Sequence, residues 1–246
     1  MQAVRSFLFN IALWVTTISL IILGLPIMLG PPKWVFFIAR TWGRVNYFWL
    51  RVLVGIKYEV TGHENLPDGP AIYAFKHQSM WETMLMCLIT RHPAIVLKNE
   101  LALIPGFGWL VLRVGSIAVK RGKGRETMQK MLDDAQDRLN DDYSLAIFPE
   151  GTRKDPYDEP HYKIGIGEMY ANLNVPCVPI ALNSGMYWAR RSFIKRPGTI
   201  KVEILPIIEP GLPRDEFMEV LQDRIETRAL ALRAEAEEAL GISKPV

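Results

Sequence analysis

The sequence predicts an α/β fold in which a mostly parallel central sheet is covered by helices and preceded by N-terminal membrane-associated helices. From about residue 57, short β-branched apolar runs alternate with helical stretches, as in layered α/β structures. These runs are continuously apolar, which is typical of strands that are covered on both faces. Residues 7–29 contain no charged side chain and are apolar enough for a membrane helix.

The length of the chain, 246 residues, suffices for one globular domain with appendages. We expect three segments along it. They are a membrane-anchoring helical segment at 1–56, an α/β domain at 57–213, and a C-terminal amphipathic helix and tail at 214–246.

The apolar run at 7–29 is predicted to be a retained membrane anchor. As a helix rising about 1.5 Å per residue, it reaches about 35 Å, which exceeds a hydrocarbon core of about 30 Å. A cleaved secretory signal would have a shorter apolar core and a small-residue cleavage site, whereas this run leads into Gly30, Pro31 and Pro32. Pro26 leaves two forms open, a helix that spans the membrane and one that re-enters it.

Residues 33–51 are predicted to form a helix at the membrane surface. At about 100° per residue, its basic side chains fall within about 40° of one another on a helical wheel. They are Lys33, Arg40, Arg44 and Arg51. Aromatic and aliphatic side chains occupy the remaining surface, so the charges can reach lipid phosphates while the rings enter the headgroup region. The alternative is a core helix with one solvated edge.

The charge balance favours anionic membrane lipids over nucleic acid as a partner. A formal charge of +3 is too small to indicate nucleic-acid binding. Basic residues follow the apolar run and Arg5 alone precedes it, which indicates a domain on the cytoplasmic face of the membrane (the inner or plasma membrane in a bacterium). Cys87 and Cys177 have no metal-ligand spacing and are predicted to be reduced core residues.

The α/β domain is predicted to contain strands and helices in alternation. The predicted strands are 58–61, 71–75, 94–98, 116–120, 144–148, 178–182 and 199–205. The predicted helices are 80–91, 125–140, 165–174 and the closing helix 215–240. The turn signals of the domain, such as the Pro- and Gly-rich stretch at 66–70, lie between these elements.

His77 and Glu82 are the candidate catalytic pair. Residues five apart in one helix are separated by about 140°, so they can meet only if His77 precedes the helix and Glu82 lies in its first turn. Ser79 and Glu82 form a capping-box pattern that provides this arrangement. A histidine oriented by a carboxylate is suited to act as a general base. The alternative is that Glu82 only caps the helix and His77 is a surface loop residue.

The surroundings of this pair indicate that a hydroxyl of the substrate is the nucleophile. The sequence has no Gly-x-Ser-x-Gly elbow, so a serine nucleophile of the protein has no support. The other histidines, His63, His92 and His161, show no ligand spacing with His77, so we predict no metal site.

The segment from Glu150 to Arg153 is the candidate phosphate-binding turn. Pro149 cannot donate to a sheet ladder and should end the preceding strand, while Gly151 permits a positive φ or a close backbone approach. The planar guanidinium of Arg153 suits bidentate contact with a phosphate. The alternative is a tight turn in which Arg153 pairs with Glu150.

Further cations are expected at the same edge. They are Lys120 and Arg121 after another predicted strand, and Lys163. Ligands of open α/β sheets gather at the carboxyl ends of strands. Both His77 and Glu150 come directly after predicted strands, so we expect one site that combines a base with several cations.

Four blocks, in this order, resemble those of the lysophosphatidate acyltransferase family, the 1-acyl-glycerol-3-phosphate O-acyltransferases. His77 to Glu82 resembles the family's His-x4-Asp block, and residues 115–121 its Gly-x-Ile-x-x-x-Arg block. Residues 148–153 match Phe-Pro-Glu-Gly-Thr-Arg in full, and 175–180 resemble its Val-Pro strand. The resemblance covers about residues 58–210 and implies a glycerol-3-phosphate acyltransferase-like fold.

The resemblance implies a reaction and roles for the site residues. His77, oriented by Glu82, would take the proton of the free sn-2 hydroxyl of lysophosphatidate, which attacks the thioester of acyl-CoA or acyl-carrier protein to give phosphatidate. It implies no cofactor besides this acyl donor. The residues implied to bind substrate are Lys98, Lys120, Arg121, Glu150, Gly151, Thr152 and Arg153.

Three departures from the family pattern leave other functions open. Glu82 stands where the family usually has Asp, Lys76 where it commonly has Asn, and Ala118 where the second block has a bulkier residue. The nearest alternative is an acyltransferase of the same fold for another lysolipid, such as a lyso-ornithine lipid. A catalytically silent lipid-binding protein and a thioester hydrolase are further alternatives.

Overall fold

A computed structural model describes residues 1–27, 29–120 and 124–242, and the elements below belong to these ranges. The helices are α1 (Gln2–Ile27), α2 (Pro32–Trp49), α3 (Trp81–Ile89), α4 (Asn99–Ala102), α5 (Phe107–Arg113), α6 (Gly124–Asn140), α7 (Ile164–Leu173), α8 (Ser184–Tyr187) and α9 (Arg214–Leu240). The strands are β1 (Ile56–Thr61), β2 (Ile72–Phe75), β3 (Pro93–Lys98), β4 (Ile117–Val119), β5 (Ser144–Ile147), β6 (Cys177–Leu182) and β7 (Gly198–Ile204).

The described strands form one sheet in the order β1-β7-β6-β2-β5-β3-β4. The five strands from β6 to β4 are parallel to their neighbours. β7 pairs antiparallel with β6 and parallel with β1, so these last two strands run in the opposite direction. The predicted α/β fold with a mostly parallel sheet is confirmed. The reversed direction of β1 and β7 was not predicted, because apolar periodicity carries no information on strand direction.

The central strands are buried on both faces, as their continuous apolar sequence predicted. Every residue of β2, β5 and β6 is buried. One apolar cluster joins one face of the sheet to the N-terminal helices and α3 through Phe9, Tyr47 and Trp81. A second cluster joins the other face to α6, α7 and α9, with Ile166 and Phe217 among its members. The sheet is therefore a rigid middle layer that fixes the positions of the loops at its carboxyl edge.

Helix α1 is long and apolar enough to cross a membrane, by length and composition, and little of its most apolar stretch is buried. Its first half nevertheless contacts the α/β domain. Phe9 is fully buried, the Arg5 Nε–H donates to the Leu53 carbonyl over 2.7 Å, and Ser6 Oγ accepts the backbone N–H of Lys195 over 2.9 Å. The predicted anchor is thus held against the domain by polar contacts at its N-terminal end. Residue 28 of the predicted run lies outside the described residues.

Lys195 couples this helix to the domain and leads to a prediction about pH. Its ammonium donates to Asn10 Oδ1 over 2.6 Å and to the Phe193 carbonyl over 3.1 Å, while the side chain is almost fully buried. Burial lowers the pKa of Lys195 from 10.5 to about 8. Between these values the unfolded chain keeps a proton that the folded protein has released, so the free energy of unfolding rises with pH.

We therefore expect the melting temperature to rise, on account of this group, between pH 8 and 10. The Lys195→Met variant should lack this increment, because methionine does not titrate. Thermal unfolding followed by circular dichroism at both pH values measures the difference between the two proteins. Equal pH slopes in both proteins would contradict the prediction.

Helix α2 departs from the predicted surface helix in two ways. The α-helix ends at Trp49, and the turn from Leu50 to Val54 is π-helical, so Arg51 no longer follows the 100° spacing. Arg40 is half-buried and its Nε–H donates to the Cys87 carbonyl over 3.3 Å. The exposed face still joins basic and aromatic side chains, namely Lys33, Trp34, Phe37, Arg44 and Phe48. The opposite side, which includes Val35 and Tyr47, is buried.

The predicted boundaries differ from the observed ones by small amounts. Strand β1 begins at Ile56, inside the segment assigned to the N-terminal anchor at 1–56. Helices α4, α5 and α8 were not predicted, because each is short and lacks a full period of apolar residues. Cys87 and Cys177 are both buried free thiols, as expected.

Candidate active site

The two sequence motifs lie at the same edge of the sheet. β2 and β5 are parallel neighbours, so the segments after Phe75 and Ile147 leave the sheet side by side. The backbone N–H of His77 donates to Glu150 Oε2 over 2.8 Å, and the Lys154 N–H donates to the His77 carbonyl over 2.8 Å. The expected single site is therefore formed by direct contacts between the motifs.

His77 and Glu82 contact each other as their spacing predicted. The distance from His77 Nδ1 to Glu82 Oε1 is 2.9 Å, and the carboxylate is fully buried. Glu82 Oε1 also accepts the backbone N–H groups of Gln78 and Ser79, each over 2.6 Å. Ser79 Oγ in turn accepts the Trp81 N–H over 3.1 Å. Helix α3 begins at Trp81, one residue later than predicted, and His77 precedes it.

The contacts of Glu82 determine which ring nitrogen of His77 holds the proton. Two backbone N–H groups point at Glu82 Oε1, and such groups can only donate, so this oxygen acts as an acceptor. The Nδ1–H of His77 must then be the donor in the 2.9 Å contact. This leaves Nε2, on the other side of the ring, as the nitrogen that can accept a proton.

Phe148 holds the plane of the His77 ring. The two rings are stacked with centroids 3.6 Å apart and an angle of 12° between their planes. Since Phe148 follows β5 and His77 follows β2, the parallel pairing of these strands brings the rings together. One face of the imidazole is thereby covered, and its side chain keeps 13% of its surface exposed. A substrate can therefore reach the ring from its open side.

Lys76 joins both motifs to helix α9 through a buried ion-pair network. Its ammonium lies 2.7 Å from Glu150 Oε1 and 2.8 Å from Glu226 Oε1. The hydroxyl of Tyr162 donates to Glu226 over 2.8 Å. Burial raises the pKa of Glu150, while the Lys76 charge and the His77 N–H act in the opposite direction. The network fixes the loops that carry His77 and Glu150.

Sequence reasoning missed the roles of Lys76, Glu226 and Ser184. The Ser184 hydroxyl donates to Glu82 Oε2 over 2.8 Å, and the neighbouring Gly185 N–H donates to Gln78 Oε1 over 3.0 Å. Ser184 follows β6, which is the parallel neighbour of β2, so its position at a strand end was an available signal. No local pattern could have indicated the contact with Glu226, which lies 150 residues away from Lys76 in the chain.

The Glu150–Arg153 turn has a different internal arrangement from the predicted alternative. Glu150 is buried and bonded to Lys76 and His77, so it does not pair with Arg153. Gly151 has a φ of 61°, a left-handed conformation that favours glycine. Thr152 is half-buried and Arg153 is exposed. Glu150 thus anchors the turn through buried contacts, while Arg153 at its other end is exposed.

The remaining predicted cations lie along the same edge at different distances from His77. Lys163 is exposed and its side chain lies beside Gly151, next to the turn. Lys98 ends β3 and Lys120 follows β4, two and three strands from β2. At about 4.8 Å per strand, these backbone positions are about 10 and 14 Å along the edge. Arg121 lies outside the described residues.

The chain is similar to several known acyltransferases. Residues 57–183 match the family model described as Acyltransferase. The chain is 35% identical over 170 residues to a 1-acyl-sn-glycerol-3-phosphate acyltransferase of Pseudomonas aeruginosa, covering 69% of this chain and 66% of that protein. It is 28% identical over 188 residues to one of Chlamydomonas reinhardtii, covering 74% of this chain and 56% of that protein. It therefore spans between about half and two-thirds of the length of such relatives.

A solved structure shows the same fold. The crystal structure of the 1-acyl-sn-glycerophosphate acyltransferase from Thermotoga maritima superimposes with a TM-score of 0.79 and 21% sequence identity. The match covers 95% of this chain and 98% of that one. The family model matches more than half of the chain and includes both motifs of the site. The chain belongs to the acyltransferase family.

Proposed function

We propose that the protein transfers an acyl chain from acyl-CoA or acyl-carrier protein to the sn-2 hydroxyl of lysophosphatidate, giving phosphatidate. The observation that carries this proposal is the His77 ring, bonded through Nδ1 to the buried carboxylate of Glu82 beside a turn that exposes Arg153. Similarity to 1-acyl-sn-glycerol-3-phosphate acyltransferases supports lysophosphatidate as the acceptor.

The proposed chemistry uses these groups and the thioester, with no further cofactor. His77 Nε2 takes the hydroxyl proton while the oxygen forms a bond to the thioester carbonyl carbon. The tetrahedral intermediate collapses, the C–S bond breaks, and the imidazolium returns the proton to the leaving thiolate. Glu82 stabilises the imidazolium between these steps, as a carboxylate does in a catalytic triad.

Arg153 is expected to bind the acceptor phosphate. Its guanidinium is exposed at the turn next to His77, and hydrogen bonds to charged groups contribute about 1.5–3 kcal/mol. We expect Arg153→Ala to lower kcat/KM for lysophosphatidate by about 10–100-fold, mainly through KM. Arg91→Ala is the matched control, since Arg91 is an exposed arginine before the start of β3 that pairs with Asp142. An unchanged KM in Arg153→Ala would contradict this assignment.

The acceptor itself is tested by assaying the purified full-length chain in vesicles with a labelled acyl thioester. Transfer to lysophosphatidate supports the proposal. Transfer to a lyso-ornithine lipid alone would overturn the choice of acceptor. Thioester loss at the same rate with and without an acceptor would indicate a hydrolase instead. If the wild type uses both acceptors, a loss of activity in Arg153→Ala that is confined to lysophosphatidate would support Arg153 as the group that binds the phosphate.

Membrane association is supported by apolar surfaces on two adjoining elements. The outer side of α1 is exposed, including Trp14 and Ile22. The segment that contains α4 and α5 adds Leu103, 72% exposed, and Trp109, 53% exposed. Helix α5 packs against α1, and we propose that the exposed apolar side chains of both elements form one membrane-binding surface. Exposed apolar patches of this kind mark surfaces that bind membranes or other partners.

We expect a Leu103→Glu/Trp109→Glu double variant to bind vesicles of anionic lipids more weakly than the wild type. Each glutamate replaces an exposed apolar side chain with a charge that lipid tails and anionic headgroups both disfavour. Co-sedimentation with the vesicles measures the bound fraction. Leu230→Glu, at a half-exposed leucine of α9, controls for a general effect of added charge. Equal binding by all three proteins would argue against this surface.

A further inference from the structure

Glu82, the carboxylate that orients His77, is held from two directions. Its Oε1 atom accepts hydrogen bonds from the His77 ring and from the backbone of its own loop. Its Oε2 atom accepts the Ser184 hydroxyl over 2.8 Å, and Ser184 is itself fully buried. Ser184 comes from helix α8, 102 residues further along the chain. The two oxygens are thus fixed by different parts of the fold.

The length of the glutamate side chain makes the second contact important. Glutamate has one more rotatable side-chain bond than aspartate, so its carboxylate has more orientations available. Contacts to Oε1 fix one atom but leave the plane of the carboxylate free to rotate about it. A donor on Oε2 fixes that plane. A buried charged oxygen without a donor would also carry a desolvation cost.

Helix α8 holds the donor to Glu82 Oε2 in a fixed position. Besides the Ser184 contact, its Gly185 N–H donates to Gln78 Oε1 over 3.0 Å, in the loop between His77 and α3. A Cβ atom on Gly185 would lie 2.6 Å from Pro156, which shows how closely the helix packs there. The end of strand β6 therefore braces the loop that carries the catalytic pair.

We propose that Ser184 is a positioning residue for the acyl transfer, acting on His77 through Oε2 of Glu82. The proposal rests on the proposed function, in which His77 is the general base. Ser184 is fully buried and bonded to the carboxylate oxygen that His77 does not contact, so it supports the pair from inside the fold.

The Ser184→Ala variant tests this role through steady-state kinetics of the full chain in vesicles. We expect kcat to fall by about tenfold, as for loss of a hydrogen bond to a charged group, with little change in KM for lysophosphatidate. The hydroxyl acts on the catalytic pair and not on the substrate, so the loss should appear in kcat. A higher KM with an unchanged kcat would contradict the positioning role and overturn the proposal.

Two further variants keep the test decisive if alanine disturbs folding. Ser184→Cys has nearly the same size but a much weaker donor, and it should reproduce the loss. Full activity in Ser184→Cys would overturn the proposal. In a Glu82→Asp background, whose shorter carboxylate should not reach Ser184, the Ser184→Ala change should cost much less than in the wild type. If the losses of kcat in Glu82→Asp and in Ser184→Ala add up in the double variant, the two residues do not act together and the inference is contradicted.

Ser192→Ala, which removes a loop contact outside the site, is the control expected to match the wild type.

A readout that does not need turnover separates this proposal from the proposed function. The His77 Nδ1–H proton, bonded to a carboxylate, should give a downfield resonance in proton NMR spectra, assigned by its absence in His77→Ala. In Ser184→Ala this resonance should shift or broaden. If the resonance shifts or broadens in Ser184→Ala but the wild-type protein has no transferase activity, the positioning role is supported and only the proposed function is contradicted. An unchanged resonance in Ser184→Ala would overturn the positioning role, whatever the activity.

Discussion

Replacing His77 with alanine should lower kcat by about 10²–10⁴-fold, the usual contribution of a general base. The physical reason is that the imidazole would receive the acceptor proton at Nε2, while Nδ1 stays bonded to Glu82 at 2.9 Å. A methyl group cannot accept this proton, and the stacked Phe148 ring offers no replacement. Steady-state acyl transfer to lysophosphatidate, with labelled acyl-CoA, measures the effect.

His63 provides the matched control for this experiment. It is exposed in a short 3₁₀ turn after β1, outside the site, so His63→Ala should keep wild-type kcat. The His77→Ala protein should also melt at nearly the wild-type temperature, because the His77 side chain is only part of the packing around Phe148. A folded His77→Ala protein with full activity would remove the proposed mechanism.

Replacing Lys76 with methionine should destabilise the protein by about 3–5 kcal/mol, the usual cost of breaking a buried ion pair from one side. The Lys76 ammonium is bonded to both Glu150 and Glu226, and Glu150 is almost fully buried. Without the cation, Glu150 would be left as an uncompensated buried carboxylate. Thermal or urea unfolding in detergent measures the change.

Lys201→Met is the control for this prediction. Lys201 pairs with Glu235 at the same distance, 2.7 Å, but both side chains are more than a third exposed. Exposed pairs contribute about 0–1 kcal/mol, so this variant should differ little from the wild type. Similar losses in the two variants would show that burial does not set the strength of the Lys76 network.

The Lys76 network also connects helix α9 to the site. Sequence patterns predicted residues 214–246 as a separate amphipathic helix and tail with a solvated face. In the structure, Glu226 of α9 is bonded to Lys76, and the Asn183 amide donates to the Leu232 carbonyl over 2.9 Å. The C-terminal helix therefore supports two of the loops that form the site.

Much of the site could be predicted from the sequence, because the positions of its residues are set by neighbouring residues in the chain. Apolar runs marked the strands, and His77 and Glu150 followed two of them directly. Parallel strands bring their carboxyl ends to one edge, so a shared site followed once a parallel sheet was expected. The spacing of His77 and Glu82 around a helix start likewise set their contact, since the two residues are only five positions apart in the chain.

What the sequence alone determined was the set of strands, the contact between His77 and Glu82, and the turn that exposes Arg153. Each of these features is formed by residues close together in the chain, whose relative positions follow from the local backbone conformation. Only the tertiary structure decided the direction of β7, the docking of α1 through Lys195, and the bonds that Ser184 and Glu226 make to the site. These contacts join residues far apart in the chain, and chain separation leaves no local pattern. They form because the folded sheet brings distant polar groups together in a buried layer where each must find a partner.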